Sequence, residues 1–415
     1  MVELPQEDPS VSPTDTSLPP YPIVVTDHLQ LDPVYRELQL KPAFKAQMPF
    51  GEPIWIATRY EDVKTVYGDR RMGKAVGHGR DTPRTSGASH GHDTTRLDNM
   101  DPPDHTRVRK LASVAFSPQQ IRGMTGWIEQ MTSDLLDDVV AKGKGADFME
   151  LFAWKLPLQV IAGILGAPNE SIGTLKGWVD TLTAEQRPFE ERYEAYMSIQ
   201  GFVRELIASK RDSQGEGTDL LYLLVQARDD DDRLSEDELV SLCTTLFLGG
   251  FETTAAQLGS TVWTLMTHRH LWQELVDDPD LIPNGLEELW RWIPSFRHGR
   301  PMIRWAAEDV ELSGGIVIPA GDPVLPEHQI ANRDETVFDH GWELDFHRKD
   351  PAAHLSLSWG PHRCMGARLA HLEVEATLRA LLTRFPGLEL TIPSEDVEWS
   401  RDTFLRCASA LPITW

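Results

Sequence analysis

The stretch His354-Leu355-Ser356-Leu357-Ser358-Trp359-Gly360-Pro361-His362-Arg363-Cys364-Met365-Gly366 sets one cysteine between a Gly-Pro turn and a strongly helical run. Glycine and proline on its N-terminal side preset a tight loop. The run from Gly366 to about Phe385 predicts a helix, whose first N–H groups have no partner within it and would point back at the Cys364 sulfur. That setting lowers a thiol's pKa and favours the thiolate. The alternative is a buried, inert cysteine, and other motifs must choose between the two.

Composition narrows the field. The 415 residues suffice for one large domain or for two or three smaller ones. With 64 acidic against 40 basic residues the formal charge is −24, which argues against a nucleic-acid partner. The cysteines (Cys243, Cys364, Cys407) form no CxxC pair, so neither a disulfide framework nor a structural zinc site is implied, and a reducing cytoplasm fits. No apolar run approaches the roughly 18–20 residues that span a bilayer, and the N-terminus lacks the basic-then-apolar order of a secretory signal. No membrane association is expected. Residues 1–25, rich in Pro, Ser, Thr and acids, read as a flexible arm, and no seam of linker composition interrupts the expected single domain over 26–415.

Along the chain, Pro53–Ala57 reads as a short strand and Tyr60–Tyr67 as a short helix. The Gly-, His-, Ser- and Thr-rich segment 72–99 reads as a loop longer than compact domains keep without a functional reason. Apolar spacing near 3.6 predicts helices over Pro118–Lys142 and Phe148–Leu165, and over 171–211 with a break near Gln186-Arg187-Pro188. Ser235-Glu236-Asp237-Glu238 is a capping box opening a helix to about Thr267, which at ~1.5 Å per residue would be about 50 Å long. Val310–Val324 alternates around Ser313-Gly314-Gly315, a hairpin signal. The class is mostly α with a small β region.

Three further motifs carry chemistry. Gly249-Gly250-Phe251-Glu252-Thr253-Thr254 lies at the centre of the long helix, where each glycine costs about 1 kcal/mol relative to alanine. Either a flat ligand approaches the backbone there, or another helix crosses it. Glu288 and Arg291 lie at i and i+3, a surface ion pair unless a third charge joins them in the interior, and Asp345-Phe346-His347-Arg348 could supply one. His105 and Arg109 lie at i and i+4 on a helix starting near Asp101, which suits an acidic group such as a haem propionate or else a solvated basic face. A thiolate held as in the Cys364 loop is what an axial haem ligand requires.

In this order the motifs resemble those of the cytochrome P450 family, in its soluble actinobacterial type that tailors natural products, over roughly positions 25–415. The resemblance implies the triangular, mostly α cytochrome P450 fold and a haem-thiolate monooxygenase that uses O2. Cys364 would ligate the iron of haem b (iron protoporphyrin IX), within a signature that includes Gly360, His362 and Gly366. His105, Arg109, Arg304 and His362 fall where the family places its propionate partners. Gly250 would lie against the cofactor, Glu252 and Thr253 would handle protons, and Glu288, Arg291 and Arg348 would form a buried network. Ala331-Asn332-Arg333-Asp334 is a further landmark. Electrons would come from a ferredoxin-type donor with its reductase, docking on Arg107, Lys110, Arg122, Arg363 and Arg368.

The implied pocket includes the 72–99 loop, the 186–197 region, Phe247, Phe251, Ser295, Phe296, Arg297, Phe404 and Leu405. Trp178 and Trp292 either stack on an aromatic substrate or pack in the core. The expected substrate is a small secondary metabolite, aromatic and peptide-derived such as a cyclic dipeptide, to be hydroxylated or oxidatively coupled. A macrolide- or terpenoid-like substrate is the alternative, as is a haem-thiolate sensor, which would not need Glu252 and Thr253. Two departures stand out. Leu357 and Ser358 replace the family's usual Phe and Gly, altering packing beside the sulfur. Glu327-His328-Gln329 replaces small or apolar residues, offering polar substrate contacts or a solvent-facing edge.

Overall fold

The computed structural model describes residues 17–415 except 24–28, 86–92, 115, 185, 213–219, 230–233, 298–301 and 402. Part of the 72–99 loop and residues 1–16 and 24–25 of the expected arm therefore lie outside the described residues.

Among the described residues, nine helices frame the site: α1 (Tyr60–Gly68), α2 (Asp104–Ala112), α3 (Thr125–Lys142), α4 (Lys155–Leu165), α5 (Ile172–Thr183), α6 (Phe189–Asp212), α7 (Glu236–Thr267), α8 (Ile282–Trp292) and α9 (Ala367–Arg384). The spine is α7. Ser235 Oγ accepts the Glu238 N–H while the Glu238 carboxylate accepts the Ser235 N–H, so the capping box forms as its sequence requires. Almost every side chain from Leu239 to Met266 is buried, with α4, α6 and α9 packed around the helix. It is long and apolar enough to cross a membrane, yet 72% of its apolar window is buried inside the fold, which makes it a core helix.

The main sheet joins strands β1 (Ala43–Ala46), β2 (Ile54–Ala57), β3 (Met72–Gly73), β4 (Arg304–Ala306) and β5 (Pro323–Pro326) in the order β1-β2-β5-β4-β3. Only β2 and β5 run parallel. Its two faces carry separate apolar clusters, one around Val63, Val66 and Val324, the other around Ile54, Ile56 and Leu325. The expected hairpin is present, Val310–Glu311 against Val317–Ile318, turning through Gly314 with φ +69°.

Three local expectations change. Pro118–Lys142 is two helices, because Met124 ends Pro118–Gly123 and begins α3. Phe148–Leu165 opens with a π-helical segment, Met149–Ala153, before α4. That segment presses on α7 at Gly259, where an added Cβ would meet the Met149 sulfur at 2.4 Å. The arm is docked over its last described part: Pro20 bridges to Gln47, and the buried Tyr21 hydroxyl donates to Glu327 Oε2 at 2.5 Å.

Candidate active site

The loop before α9 is held by backbone geometry. The Cys364 N–H donates to the Leu357 carbonyl at 2.8 Å. Gly360 turns with φ +69°, and a Cβ there would meet the Tyr67 carbonyl at 2.6 Å, so the loop closes onto the end of α1 only with glycine. Ser358 also has a left-handed φ, +62°, a conformation costing about 1–2 kcal/mol for a residue with a Cβ. The departure from glycine at this position is therefore strained.

Cys364 keeps accessible surface while protein encloses it, the condition of a group on the wall of a cleft. Burial pushes its thiol pKa up. Opposing this are the N–H groups of Gly366 and Ala367 at the start of α9 and the charges of Arg109 and Arg363. The expected helix N-terminus is thus in place, but the net shift is the reverse of the one expected from the sequence, because desolvation outweighs it. A cation near the sulfur would change that balance.

Beside the loop lies a cluster of bases. His105 is buried on α2 and its ring lies 4.2 Å from that of His362. Burial, with Arg304, His105, Lys74 and Arg109 nearby, pushes His362 down to about 2. Burial and the charge of Arg109 push His105 down to about 4, and burial also lowers Arg304. Lys74 is pushed down to about 7 by burial and by Arg304. The nearby acids are engaged elsewhere, Asp98 with Arg96 and Asp101 with the N–H groups of Lys74 and Ala75. His105 Nε2 and Arg304 Nε are buried without a hydrogen-bond partner among the described residues. Crowded bases with unsatisfied donors are costly unless an acid joins them. The donor set fits the two carboxylates of a haem.

Arg109 donates to the Arg363 carbonyl and so ties α2 to the cysteine loop. Lys74 had no signal in the sequence. It is placed by the pairing of Met72 with Ala306 and Gly73 with Trp305, which sets it beside Arg304 across more than two hundred residues of chain.

In the middle of α7, Leu248 and Gly250 keep partial surface, and three further accessible positions form a line. Thr245, Gly249 and Thr253 recur every fourth residue and keep surface on a helix that is otherwise mostly buried. No atom lies within 4 Å of a Cβ added at Gly249, whereas at Gly250 it would meet Ile161 of α4 at 3.0 Å. Gly250 therefore serves the helix crossing, and Gly249 takes the open position expected of Gly250. Thr253 Oγ1 donates to the Gly249 carbonyl at 2.8 Å. Glu252 points away from this line: its Oε1 lies 2.8 Å from Thr183 Oγ1 at the end of α5. Burial pushes its pKa up to about 7.

Glu288, Arg291 and Arg348 come together as expected. Arg291 grips both carboxylate oxygens of Glu288 at 2.7 Å, and Arg348 Nε reaches them at 3.0 and 3.1 Å. The Asp345 N–H adds a bond at 3.0 Å, and Arg291 also donates to the carbonyls of Asn332, Gly341 and Glu343.

The pocket candidates divide. Ser295, Phe296 and Arg297 pair with the 404–406 segment through the Arg297 N–H to Phe404 and the Arg406 N–H to Ser295. Phe296 stacks on Phe404 at 6.0 Å, and Leu405 is buried at the same bridge. Phe251 is instead a core residue, fully buried against Trp154, and Phe247 is likewise buried in the main core. Trp178 packs edge-on against Phe202, and Trp292 is buried beside His268 and Arg333, so Trp292 serves structure.

Glu327, His328 and Gln329 are neither a solvent edge nor open to a ligand through their bonded atoms. Glu327 accepts from Tyr21 and Gln329, His328 Nδ1 meets the Tyr67 hydroxyl, and Gln329 accepts the Phe296 N–H. In the expected basic patch, Lys110, Arg122, Arg363 and Arg368 are exposed, but Arg107 is paired with Glu238 and Asp104.

A family model described as Cytochrome P450 matches residues 186–285 and 281–405. The chain is 38% identical over 407 residues to nocardicin C N-oxygenase of Nocardia uniformis subsp. tsuyamanensis, covering 97% of this chain and 100% of that one. It is 37% identical over 397 residues to mycinamicin IV hydroxylase/epoxidase of Micromonospora griseorubida, covering 95% and 98%. A crystal structure of cytochrome P450mel 107F1 with biaryl coupling reactivity superposes with a TM-score of 0.88 at 38% identity, covering 94% and 98%.

Proposed function

The chain belongs to the cytochrome P450 family and is a natural-product-tailoring monooxygenase, and from that premise we propose roles for its residues, a substrate class and an electron donor. Its cofactor is haem, which when bound supplies O2 activation and the oxidation of substrate. Cys364 ligates the iron, and the N–H groups of Gly366 and Ala367 stabilise charge on its sulfur. His105, Arg109, Arg304 and His362, joined by Lys74, hold the propionates. Thr253 and ordered water carry protons along the line of α7, supplied by Glu252 from the side of the helix that faces α5. The observation that carries this reading is the crowding of bases beside the cysteine, among which His105 Nε2 and Arg304 Nε are buried with no hydrogen-bond partner among the described residues, a setting that a bound diacid would relieve.

The substrate is a small aromatic, peptide-derived metabolite such as a cyclic dipeptide, hydroxylated or oxidatively coupled. The Phe296–Phe404 stack supports this, as do relatives that oxygenate nitrogen in nocardicin C or couple biaryls. A macrolide is the second reading, favoured by the likeness to mycinamicin IV hydroxylase/epoxidase. Electrons arrive in the cytoplasm from an acidic ferredoxin with its reductase, docking on Lys110, Arg122, Arg363 and Arg368.

One preparation tests these points. The reduced, CO-treated holoprotein should show the red-shifted Soret band of thiolate ligation. The same band in Cys364→Ala would overturn the ligand assignment. Titration with aromatic cyclic dipeptides should convert ferric iron from low to high spin, and a response to macrolides alone would overturn the substrate class.

A further inference from the structure

Phe296 is held from behind by polar groups that the pocket itself does not show. Its N–H donates to Gln329 Oε1 at 3.2 Å, and its carbonyl accepts from Arg406 Nε at 3.3 Å. Its ring stacks on Phe404 and meets the His328 ring edge-on at 5.8 Å. Both backbone contacts lead to one carboxylate. Gln329 Nε2 donates to Glu327 Oε1 at 3.1 Å, and the charge of Glu327 acts on Arg406. Glu327 Oε2 in turn accepts from the Tyr21 hydroxyl at 2.5 Å.

The order of donors along this path is fixed. A carboxylate only accepts, so Glu327 turns the NH2 of Gln329 toward itself and leaves the amide oxygen for Phe296. Reversed, the amide would set its NH2 against the Phe296 N–H and its oxygen against the carboxylate, and both bonds would be lost. Tyr21 fills the other oxygen of Glu327. The three side chains belong to residues only 3%, 2% and 7% exposed (Tyr21, Glu327, Gln329), so a bond removed here leaves a desolvated group behind.

We propose that the docked end of the N-terminal arm positions the substrate pocket: Tyr21, Glu327 and Gln329 form a strut that sets the place of Phe296 and hence the fit of an aromatic substrate ring. This rests on the reading of Phe296 and Phe404 as substrate contacts. The outer end of the strut is anchored independently of the pocket. The Tyr21 N–H donates to the Gln47 carbonyl and the Gln47 N–H to the Pro19 carbonyl, both at 2.9 Å, which joins the arm to the chain just after β1. The middle of the strut is anchored by the main sheet, because Glu327 follows β5 and its N–H donates to the Ala57 carbonyl of β2 at 2.9 Å. Gln329, in the short helix His328–Ala331, carries the position of that carboxylate on to Phe296.

Tyr21, Glu327 and Gln329 are thus positioning residues, acting through Phe296. A network that served only the stability of the fold would weaken every ligand alike, or lower the haem content. A strut behind an aromatic wall has another signature: it matters for a ligand that puts a ring into the pocket and not for one that does not.

The test is optical titration of the ferric holoprotein with two nitrogen ligands, imidazole and 4-phenylimidazole. Both offer the same kind of nitrogen to the iron, and the second adds a phenyl ring that must lie in the pocket. The ratio of their dissociation constants therefore reads the pocket and cancels changes at the iron. Phe296→Ala sets the scale and should lower the preference for 4-phenylimidazole. Gln329→Leu should lower it roughly fivefold, the weight of about one hydrogen bond. Tyr21→Phe removes a single oxygen at the far end of the strut and should lower it about threefold, with imidazole binding unchanged. Tyr21→Phe decides the matter by itself if Gln329→Leu does not hold haem. An unchanged preference in Tyr21→Phe, or an equal loss for both ligands, overturns the proposal while the Phe296→Ala result stands. Should Phe296→Ala itself leave the preference unchanged, the pocket reading fails, and the proposal with it.

Discussion

Two regions of this molecule bury charge, and they treat it in opposite ways. Around Glu288, the three charges of the network are answered by one another and by the chain: both side chains of its i, i+3 pair are 0% exposed, and Arg348, the Asp345 N–H and three carbonyls complete the set. Around His105 and Arg304, the bases repel one another and keep donors without acceptors. The two motifs look equally bland in sequence, an acid and a base three apart, two bases four apart. Their difference is that the first can be satisfied by the chain alone. A buried polar cluster that satisfies itself specifies the fold, and one left incomplete is a place kept for a ligand.

The sharpest way to break the contrast is to remove the acid of the complete network. Glu288→Ala leaves Arg291 and Arg348 as buried cations without a counter-charge, which costs about 3–5 kcal/mol. That is a large part of a typical 5–15 kcal/mol of total stability. Urea unfolding of the holoprotein should show a midpoint lowered accordingly, or no soluble protein at all. A loss under about 1 kcal/mol would mean that the network is not what closes this part of the fold.

A smaller effect separates the distal acid from the fold. The pKa of Glu252 is raised, so the folded state binds the proton more tightly than the unfolded chain does. Its contribution to stability is therefore full below the unfolded value, near 4.3, and is lost as pH rises through about 7. The loss is on the order of 3–4 kcal/mol across that window. Glu252→Gln abolishes the titration, so the difference between wild type and variant in urea should change with pH between about 4 and 8 and be flat outside it. A pH-independent difference would show that burial does not hold this carboxyl protonated.

What the sequence discloses of all this follows from distance along the chain. The capping box at Ser235, the helix after Cys364, the hairpin at Gly314 and the i, i+3 pair at Glu288 are local patterns, and each is found in the structure. Lys74 reaches the base cluster only because β3 pairs with β4, and no spacing reports such a pairing. Which glycine of α7 stays open depends on Ile161 of another helix, so the sequence locates the pair but not the roles within it. Glu327, His328 and Gln329 find partners at Tyr21, Tyr67 and Phe296, all far away in sequence, which is why neither an exposed edge nor a substrate contact describes their bonded atoms.

The smallest effect tests whether burial, rather than the ion pair itself, makes the Glu288 network matter. Arg36 and Glu335 lie as close as the partners of that network, 2.9 Å apart, but their side chains are 60% and 46% exposed. Water and salt screen such a pair, and both long side chains lose rotamer freedom to hold it, so Arg36→Ala should cost less than about 0.5 kcal/mol in urea. Arg36 also lies over the Trp342 ring at 5.9 Å, a contact that adds little at an exposed site. Raising the salt should shrink the Arg36→Ala effect further and leave the Glu288→Ala effect in place, because buried charges are screened far less. Equal losses from the two variants would mean that geometry alone, and not the exclusion of water, gives the buried network its weight.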